Sequence, residues 1–418
     1  MAMCMPVRAE GTELTNTETF DLMTSPDGCG RGSHYLFGMS MCLPMPTRTG
    51  DVSVMAMGNF FFADIYEQGA RGRHAVSAPN WAMLDFGVDL ASWNRVELDA
   101  MLTAEVWTTP ADGYPQLLQI GENQADGRPF IDAQHPHSSP LMGLTITDEV
   151  SLSSQDARLL RFSFAPRGES TEGPIAFMHR PTSLWNPDAP LGHHIGQDAG
   201  HISSTVIAAS LQWGTVTVEA STFHGREPEP TRVELPLGAP DSFGVRASEQ
   251  VTASLLAAAS FAYVSNPEGN NAIPKVLRFS ASLYGQGTAN EWRLHGALIW
   301  GAISNYDGAS LLSSLVLEAS AIVGENAIWS RIEALQRTAG ELEIASSAPA
   351  APAWTAVLTL GYTRRIAGLG PVDTYVGASL SGYALPTDFA AAYGGRFLLT
   401  GKAFFELRGI HMSSLGSP

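Results

Sequence analysis

Charged residues are scarce in this sequence, and basic residues are the scarcer of the two signs. Asp, Glu, Lys and Arg make up 16% of the 418 residues, whereas about a quarter is usual in soluble proteins. Lys and Arg number 24 against 41 Asp and Glu, which gives a formal net charge of −17 at pH 7. Because no basic stripe is present to contact phosphate groups, we expect no nucleic-acid partner.

Long apolar runs are also missing. No stretch approaches the ~20 consecutive apolar residues of a transmembrane helix, although 44% of the residues are hydrophobic. Gly and Pro are plentiful, at 41 and 26 residues, which favours many turns and few long helices. A helical membrane protein is therefore not predicted.

Few cysteines are present, and a secretion signal is not visible. Cys4, Cys29 and Cys42 would allow one disulfide with one thiol left over, and no CxxC spacing indicates zinc or redox chemistry. The first residues, MAMCMPVRAEGTE, contain no cationic segment followed by an apolar one. We therefore expect that this sequence is a mature or trimmed form, or that the chain is not exported.

Apolar and polar residues alternate along most of the sequence, as they do in β-strands with one apolar face. In RVELDAMLTAEVW (95–107), for example, Val96, Leu98, Ala100 and Leu102 alternate with polar residues. Each such run is about as long as the 9–11 residues that cross a bilayer as a tilted strand. The runs lie near 52–66, 81–92, 95–107, 141–150, 158–165, 202–212, 215–223, 242–248, 255–264, 275–283, 291–303, 311–321, 326–336, 354–364, 372–382 and 397–408.

The connections between these runs alternate between long and short. Short turns on one rim and long loops on the other are typical of an up-and-down barrel. One short link, near 304–310, falls among the long connections. The long connections lie near 67–80, 109–140, 166–201, 224–241, 264–274, 337–353 and 383–396, and the short ones near 92–94, 151–157, 213–214, 249–254, 285–290, 323–325 and 366–371.

We therefore predict an all-β fold, an antiparallel up-and-down transmembrane β-barrel of about 16 strands, within a range of about 14 to 18. A soluble β-sandwich shows the same alternation and is the alternative. Aromatic residues near the ends of runs, such as Trp81, Trp93 and Trp213, favour the barrel, because they form girdles at membrane interfaces. The predicted segments are an irregular N-terminal one at 1–49, the barrel at 50–412 with long His-rich loops at 109–140 and 166–201, and a tail at 413–418.

The segment 1–49 is dense in sulfur. Thioether and thiolate groups are soft ligands that suit Cu⁺, whereas methionine is also a common filler of irregular gaps. The sequence leaves open whether this segment captures a metal ion. The residues concerned are Met1, Met3, Cys4, Met5, Met39, Met41, Cys42 and Met45.

Seven of the 11 histidines lie between residues 135 and 224, nearly all of them in long connections. Because these connections leave the strands on the same side, their side chains can converge above or inside the barrel mouth. Imidazole is a common metal ligand, and carboxylates often hold its second nitrogen. The candidate ligands of a zinc, copper or nickel ion are His135, His137, His179, His193, His194, Asp198 and His201.

A second interpretation of these loops stays open, because no closed metal motif such as HExxH is present. In it, the loop residues form a hydrogen-bond network that holds an inward-folded constriction loop. Arg180 and Arg226 would then form two-pronged ion pairs with Asp188, Asp198 or Glu227. The candidate network residues are Asp132, Arg180, Asp188, His224, Arg226 and Glu227.

The middle of the chain resembles a known family. GYPQLLQIGE, DAQHPHS, AFMHRPTSLWNPDAPLGHH, DAGHIS and FHGREPE are similar, in the same order, to motifs of a family of Gram-negative outer-membrane β-barrel proteins whose function is not established. The family motifs are QHPHD, FMHRPSAxxNPxAPxxHH, DSTHI and FNGREPD. The likeness runs from about Gly50 to Phe405, with the motifs concentrated in 113–230.

This resemblance implies a barrel in the outer membrane of a Gram-negative bacterium. Some members have His- and Met-rich N-termini and are linked to copper handling, which implies a copper or other divalent ion as the candidate cofactor here. Ser138 stands where the family has Asp, which puts in doubt a ligand role at that position. His224 stands where the family has Asn, which adds a candidate ligand.

Three functions are compatible with the sequence. The first is a porin-like channel for small solutes, which prefers cations if the excess acidic groups face the lumen. The second is a protein that binds copper or zinc through its loop histidines and has no open pore. The third is an outer-membrane hydrolase, but no GxSxG-like nucleophile elbow is present. We therefore assign no catalytic residue and expect the lipid bilayer and small solutes or metal ions as partners.

Overall fold

The computed structural model describes residues 33–36, 41–44, 52–123, 129–153, 158–197, 200–269, 273–306 and 309–415. Most of it is a closed antiparallel β-barrel with 16 strand positions, so the predicted fold is confirmed. The barrel strands are β3 (Val52–Glu67), β4 (His74–Ser77), β5 (Asn80–Ala91), β6 (Asn94–Leu102), β9 (Leu141–Ser151), β10 (Arg158–Gly168), β11 (Ser203–Trp213), β12 (Val216–His224), β13 (Ser242–Thr252), β14 (Leu255–Ser265), β15 (Lys275–Ala289), β16 (Trp292–Tyr306), β17 (Ala309–Val323), β18 (Asn326–Arg337), β19 (Ala353–Leu369), β20 (Val372–Ala384) and β21 (Phe397–Leu415).

The barrel closes between its last and its first strand. β21 pairs with β3, from Leu415 opposite Val52 at one end. β4 and β5 share one strand position, because β4 pairs with residues 63–66 of β3 and β5 pairs with residues 52–60. A closed sheet has no free edge to expose to lipid, and the β-sandwich alternative is therefore wrong.

Two short antiparallel pairs are separate from the barrel sheet. β1 (Ser33–Leu36) pairs with β2 (Met41–Pro44). The rest of the segment 1–49 lies outside the described residues, so metal capture by that segment stays a prediction. β7 (Tyr114–Asn123) pairs with β8 (Pro129–Gln134) in the long connection between β6 and β9.

Successive residues of the barrel strands face lipid and lumen in turn. Large apolar side chains such as Phe86, Phe164 and Leu317 are exposed on the outer surface, as a bilayer requires. Charged side chains on the inward face form buried pairs; for example, Arg161 Nε donates to Glu149 Oε2 at 2.7 Å. The polar face of the predicted strands therefore lines the lumen.

Trp81 departs from the predicted girdle of interfacial aromatic residues. Trp93 and Trp213 are exposed beside tight turns, but Trp81 is buried in the lumen. Its ring lies against the imidazole of His179, with the centroids 4.6 Å apart. The reason is strand phase, since the inward face of β5 runs through Trp81, Met83 and every second residue after them.

Tight turns join the strands at one rim and long connections join them at the other, as predicted. The predicted short link among the long connections falls between β16, which ends at Tyr306, and β17, which begins at Ala309. Two α-helices lie in the described long connections, α1 (Glu105–Thr108) and α2 (Thr387–Tyr393). Among the described residues, no helix is long and apolar enough to cross a membrane. β21 continues to Leu415, beyond the boundary expected at residue 412.

α1 replaces the end of the strand predicted at 95–107. The ladder of β6 stops at Leu102, because the next residues find other hydrogen-bond partners. The backbone N–H of Ala104 donates to Asn80 Oδ1 at 2.7 Å, and the N–H of Glu105 donates to Thr103 Oγ1 at 3.1 Å. The prediction was therefore wrong for the residues after Leu102.

The connection between β10 and β11, residues 169–202, folds into the lumen, and we call it the inward loop. Nearly all of its described residues are buried. The Arg180 guanidinium donates to both carboxylate oxygens of Glu318 on β17, at 2.8 and 3.0 Å. The N–H of Leu191 donates to Glu333 Oε2 on β18 at 2.6 Å. The inward loop is thus fixed to the barrel wall and narrows the lumen.

Candidate metal centre

Five histidine side chains converge in the lumen, and we call them the histidine cluster. His135 and His137 follow β8, His193 and His194 lie in a tight turn of the inward loop, and His201 precedes β11. Neighbouring rings have centroids 4.6 to 5.8 Å apart. The structure therefore brings together five of the predicted metal ligands, which come from two different connections of the long-loop rim.

His137 and His201 face each other within the cluster, with their Nε2 atoms 3.1 Å apart. The other ring nitrogen of His137, Nδ1, lies 2.7 Å from Glu105 Oε2, which also accepts the backbone N–H of His137 at 3.1 Å. Because a carboxylate only accepts hydrogen bonds, this contact places the proton of a neutral His137 on Nδ1. The Nε2 lone pair of His137 is then directed into the cluster, as in metal sites with a carboxylate behind the histidine.

The histidine cluster borders a cavity of about 50 Å³. A single water molecule needs roughly 10–15 Å³ on the same measure, so a metal ion with a water ligand fits. Four histidines of the cluster reach this cavity, while His194 does not. The lining includes His135, His137, His193, His201, Glu105, Trp81, Met142 and Met178.

Burial favours the neutral form of three histidines of the cluster. Burial first, and the neighbouring imidazoles second, keep the pKa of His135 and His193 well below its usual range. For His194 the same two causes are joined by the Arg278 guanidinium. Desolvation disfavours the imidazolium, and a neutral imidazole is the form that binds a metal ion. These side chains therefore present lone pairs without first losing a proton.

A glycine seats the turn that carries His193 and His194 against the barrel wall. Gly196 has φ = 71°, a conformation that residues with a Cβ rarely adopt. A Cβ at this position would lie 2.6 Å from the backbone N of Ala302 and 2.6 Å from the carbonyl O of Phe279. The absence of a side chain thus lets the turn touch β15 and β16 and fixes how far the two histidines reach into the cluster.

His194 joins the cluster to a group of carboxylates. Ligand atoms of Glu122, His194 and Glu227 all lie within 4.8 Å of one another. Glu227, however, already accepts from Arg278 at 2.5 Å. Burial and the nearby carboxylates raise the pKa of Glu122 well above its usual range, which favours a neutral carboxyl group and a poor ligand. The cavity side of the histidine cluster is therefore better prepared for a metal ion.

One predicted metal ligand in the described part of the chain does not join the histidine cluster. His179 is fully buried and lies against Trp81 instead. Asp198 lies outside the described residues. The candidate set for the cavity is therefore smaller than the predicted one.

The predicted network residues do make contacts that hold the loops. Asp188 accepts from Tyr114 Oη at 2.6 Å and forms an ion pair with Lys402. Asp132 accepts from the N–H of Leu118 and from Tyr393 Oη, both at 2.7 Å. These contacts tie the β7–β8 hairpin to the inward loop and to the barrel wall.

His224 and the predicted arginine pairs have other partners. His224 Nδ1 lies 3.5 Å from Asp241 Oδ2, apart from the cluster. Arg180 pairs with Glu318, and Arg226 donates to Glu234 at 3.0 Å. The predicted pairing of these arginines with Asp188 or Glu227 was wrong, because their partners come from a distant strand and from further along the same connection.

Two acidic residues of the site were not predicted. Glu105 was predicted to lie in a strand. Because β6 ends at Leu102, Glu105 lies in α1 instead, and its carboxylate contacts His137. Glu122 belongs to β7, in a stretch with no histidine nearby in sequence. Neither position carries a sequence signal, since both approach the histidines only through tertiary folding.

Comparison with known proteins defines the class of fold. No protein-family model matches the chain, and no curated protein matches it in sequence. The anion-selective porin from Comamonas acidovorans covers 86% of this chain and 99% of its own, with 13% identity and a TM-score of 0.50. OmpF of Salmonella typhi, in complex with daunomycin, covers 86% and 97%, with 9% identity and a TM-score of 0.50.

The outer membrane channel DcaP of Acinetobacter baumannii covers 88% of this chain and 99% of its own, with 8% identity and a TM-score of 0.49. At such low identities the likeness concerns the fold alone. The chain thus has the β-barrel fold that the Comamonas porin and OmpF share.

Proposed function

We propose that this barrel resides in the outer membrane of a Gram-negative bacterium and binds a copper or zinc ion at the histidine cluster. The observation that carries the proposal is the pair of Nε2 atoms of His137 and His201, 3.1 Å apart. Two nitrogens that bind one tetrahedral ion at about 2.0–2.1 Å lie about 3.3 Å apart. The two imidazoles are therefore already spaced as neighbouring ligands of one ion.

The surroundings of this pair support the proposal. Glu105 orients His137 from behind, and His135 and His193 reach the same cavity. Burial keeps His135 and His193 neutral. Imidazole ligands, an orienting carboxylate and a small cavity are the parts that zinc and copper sites use.

Metal analysis of the detergent-purified full chain tests this proposal. After equilibration with Zn²⁺ or Cu²⁺, we expect about one ion per chain more than in His137→Ala/His201→Ala. His74→Ala is the matched control, because His74 is exposed and pairs with Asp64 at 2.7 Å away from the cluster. Equal metal content in the double variant and the unaltered chain would overturn the proposal.

A cation-preferring passage through the lumen is a second candidate function. Among the described residues with buried side chains, acidic residues outnumber basic ones. Asp85 and Asp99 lie opposite each other on the inward face of β5 and β6. Rings and walls of carboxylates favour cations in pores.

Conductance of the full chain in planar bilayers tests the second candidate. Under a KCl gradient we expect a reversal potential whose sign shows that K⁺ passes more readily than Cl⁻. Anion preference, or no conductance at all, would contradict it. Neither result bears on metal binding at the histidine cluster, which is measured in detergent.

A further inference from the structure

Four methionines form a row across the lumen wall. Met57 on β3 is paired directly with Met83 on β5, and Met83 with Met101 on β6. On β9 the residue opposite Met101 is Gly143, and the register shift beside it leaves Met142 next to the row. All four side chains are buried, with at most 7% of their surface exposed. We call them the methionine row.

Directly paired residues on neighbouring strands have Cβ atoms about 4.5–5.5 Å apart. Methionine has three rotatable bonds beyond Cα and a polarisable sulfur, so two neighbouring thioethers can reach one ion. This pairing occurs twice in succession, between Met57 and Met83 and between Met83 and Met101. Thioethers are soft ligands that select Cu⁺ among biological metal ions, whereas zinc sites use nitrogen, oxygen and thiolate.

A buried histidine lies beside the methionine row. His179 is fully buried, and neither of its ring nitrogens has a hydrogen-bond partner among the described residues. Its ring packs on Trp81, and burial lowers its pKa to about 3, opposed by the Asp85 carboxylate. Trp81, Met83 and Asp85 are successive inward residues of β5. His179 therefore lies over the part of β5 that carries Met83.

The cavity of the histidine cluster connects to this region. Its lining includes Met142 of the methionine row, together with Met178 and Trp81. The row then continues along neighbouring strands, one inward-facing residue pair further from the long-loop rim than Trp81. The next inward pair in the same direction is Asp85 and Asp99.

We propose that the methionine row and His179 bind a soft monovalent ion, Cu⁺ or Ag⁺, next to the histidine cluster and on the side towards the tight-turn rim. This inference rests on the proposed function and narrows its substrate to soft metal ions. An ion bound at the cavity reaches Met142 first and then Met101, Met83 and Met57. No change of oxidation state is involved, because the ion arrives and leaves as the monovalent form.

The test uses Ag⁺ as the probe, added to the full chain in detergent with the methionine methyl groups labelled with ¹³C. We expect Ag⁺ to shift the methyl resonances of Met83 and Met101, which Met83→Leu and Met101→Leu identify. The double variant Met83→Leu/Met101→Leu is expected to bind about one Ag⁺ fewer per chain and as much Zn²⁺ as the unaltered chain. Exchanges of Met for Leu keep side-chain volume and usually cost less than about 1.5 kcal/mol.

The two proposals fail in different ways. If the resonances of Met83 and Met101 do not move at saturating Ag⁺, the soft-ion site is overturned, whatever Zn²⁺ does. An undiminished Ag⁺ stoichiometry in the double variant overturns it as well. If instead His137→Ala/His201→Ala binds Zn²⁺ like the unaltered chain, the proposed function fails.

Discussion

Arg180 of the inward loop and Glu318 of β17 form a two-pronged ion pair in which neither side chain is exposed, with N–O distances of 2.8 and 3.0 Å. Thr182 Oγ1 donates to the same carboxylate at 2.7 Å, and Arg331 Nε donates to it at 3.0 Å. A buried pair of this kind joins elements that are far apart in sequence. It explains how a long loop keeps one position inside the barrel.

Arg180→Met should therefore destabilise the inward loop. Removal of one partner of a buried ion pair costs about 3–5 kcal/mol when the other charge is left uncompensated. Because Arg331 still pairs with Glu318, we expect the lower end of this range. We expect a lower free energy of unfolding in urea and a higher single-channel conductance, since the inward loop is no longer held. Denaturant titration and planar bilayers measure the two effects.

The control for this prediction is Arg364→Met. Arg364 is more than half exposed and lies 3.9 Å from Glu325, and surface pairs contribute about 0–1 kcal/mol. An Arg180→Met variant as stable as the unaltered chain would contradict the anchoring role of Arg180.

Glu105→Gln should weaken metal binding at the histidine cluster without abolishing it. The amide can no longer act as the charged acceptor for His137 Nδ1, which lies 2.7 Å from the carboxylate. Loss of such an orienting partner costs about 10- to 100-fold in metal affinity. A Zn²⁺ competition titration measures the change. Glu249→Gln, at an exposed position of β13, should leave the affinity unchanged, and an equal loss in both variants would speak against orientation by Glu105.

The barrel was predictable from the sequence because strand alternation depends only on which face meets lipid. The run at 275–283, for example, needs no knowledge of its neighbours to be recognised as half of β15. The lengths of the connections then indicated which rim carries the tight turns and which carries the long loops. The end of β6 was missed because its stop depends on Asn80, a residue of the neighbouring strand.

The candidate site was predictable only in part. His135 and His201 could be placed on one rim, but their convergence requires both connections to fold inward, which no local pattern specifies. The methionine row was even less predictable from the sequence. Met57, Met83 and Met101 become neighbours through the register of three strands, and each methionine alone is an ordinary inward apolar residue.

Gly196→Ala should lower metal affinity and stability together. The added Cβ would lie 2.6 Å from backbone atoms of Ala302 and Phe279, so the turn that carries His193 must move away from the wall. Zn²⁺ titration and urea unfolding of the same preparation measure both effects. Gly214→Ala is the matched control, since Gly214 also has positive φ but nothing lies within 4 Å of its Cβ position. We expect Gly214→Ala to lower the free energy of unfolding by about 1–2 kcal/mol, because of its backbone conformation, and to leave metal affinity unchanged. Equal losses of affinity in the two variants would contradict the role of Gly196 in positioning the turn.

The stability of the barrel should also depend on pH through Glu268, which lies in the connection between β14 and β15. Burial first, and the Glu227 carboxylate second, raise the pKa of Glu268 from 4.5 to about 7, against the opposing effect of Arg278. The folded chain therefore keeps a proton that the unfolded chain releases above pH 4.5. Since the folded state binds more protons in this window, the free energy of unfolding falls as pH rises from about 4.5 to 7.

Glu268→Gln should remove this component of the pH dependence. The amide stands in for the protonated carboxyl group at every pH, so we expect the variant to be more stable than the unaltered chain above pH 7, by an amount on the order of 3 kcal/mol. At pH 4.5 the two should be alike. Urea unfolding followed by tryptophan fluorescence at pH 4.5, 5.5 and 7.5 compares them, with the exposed Glu249→Gln as control. A constant difference between the two chains at all three pH values would show that Glu268 does not titrate in this window.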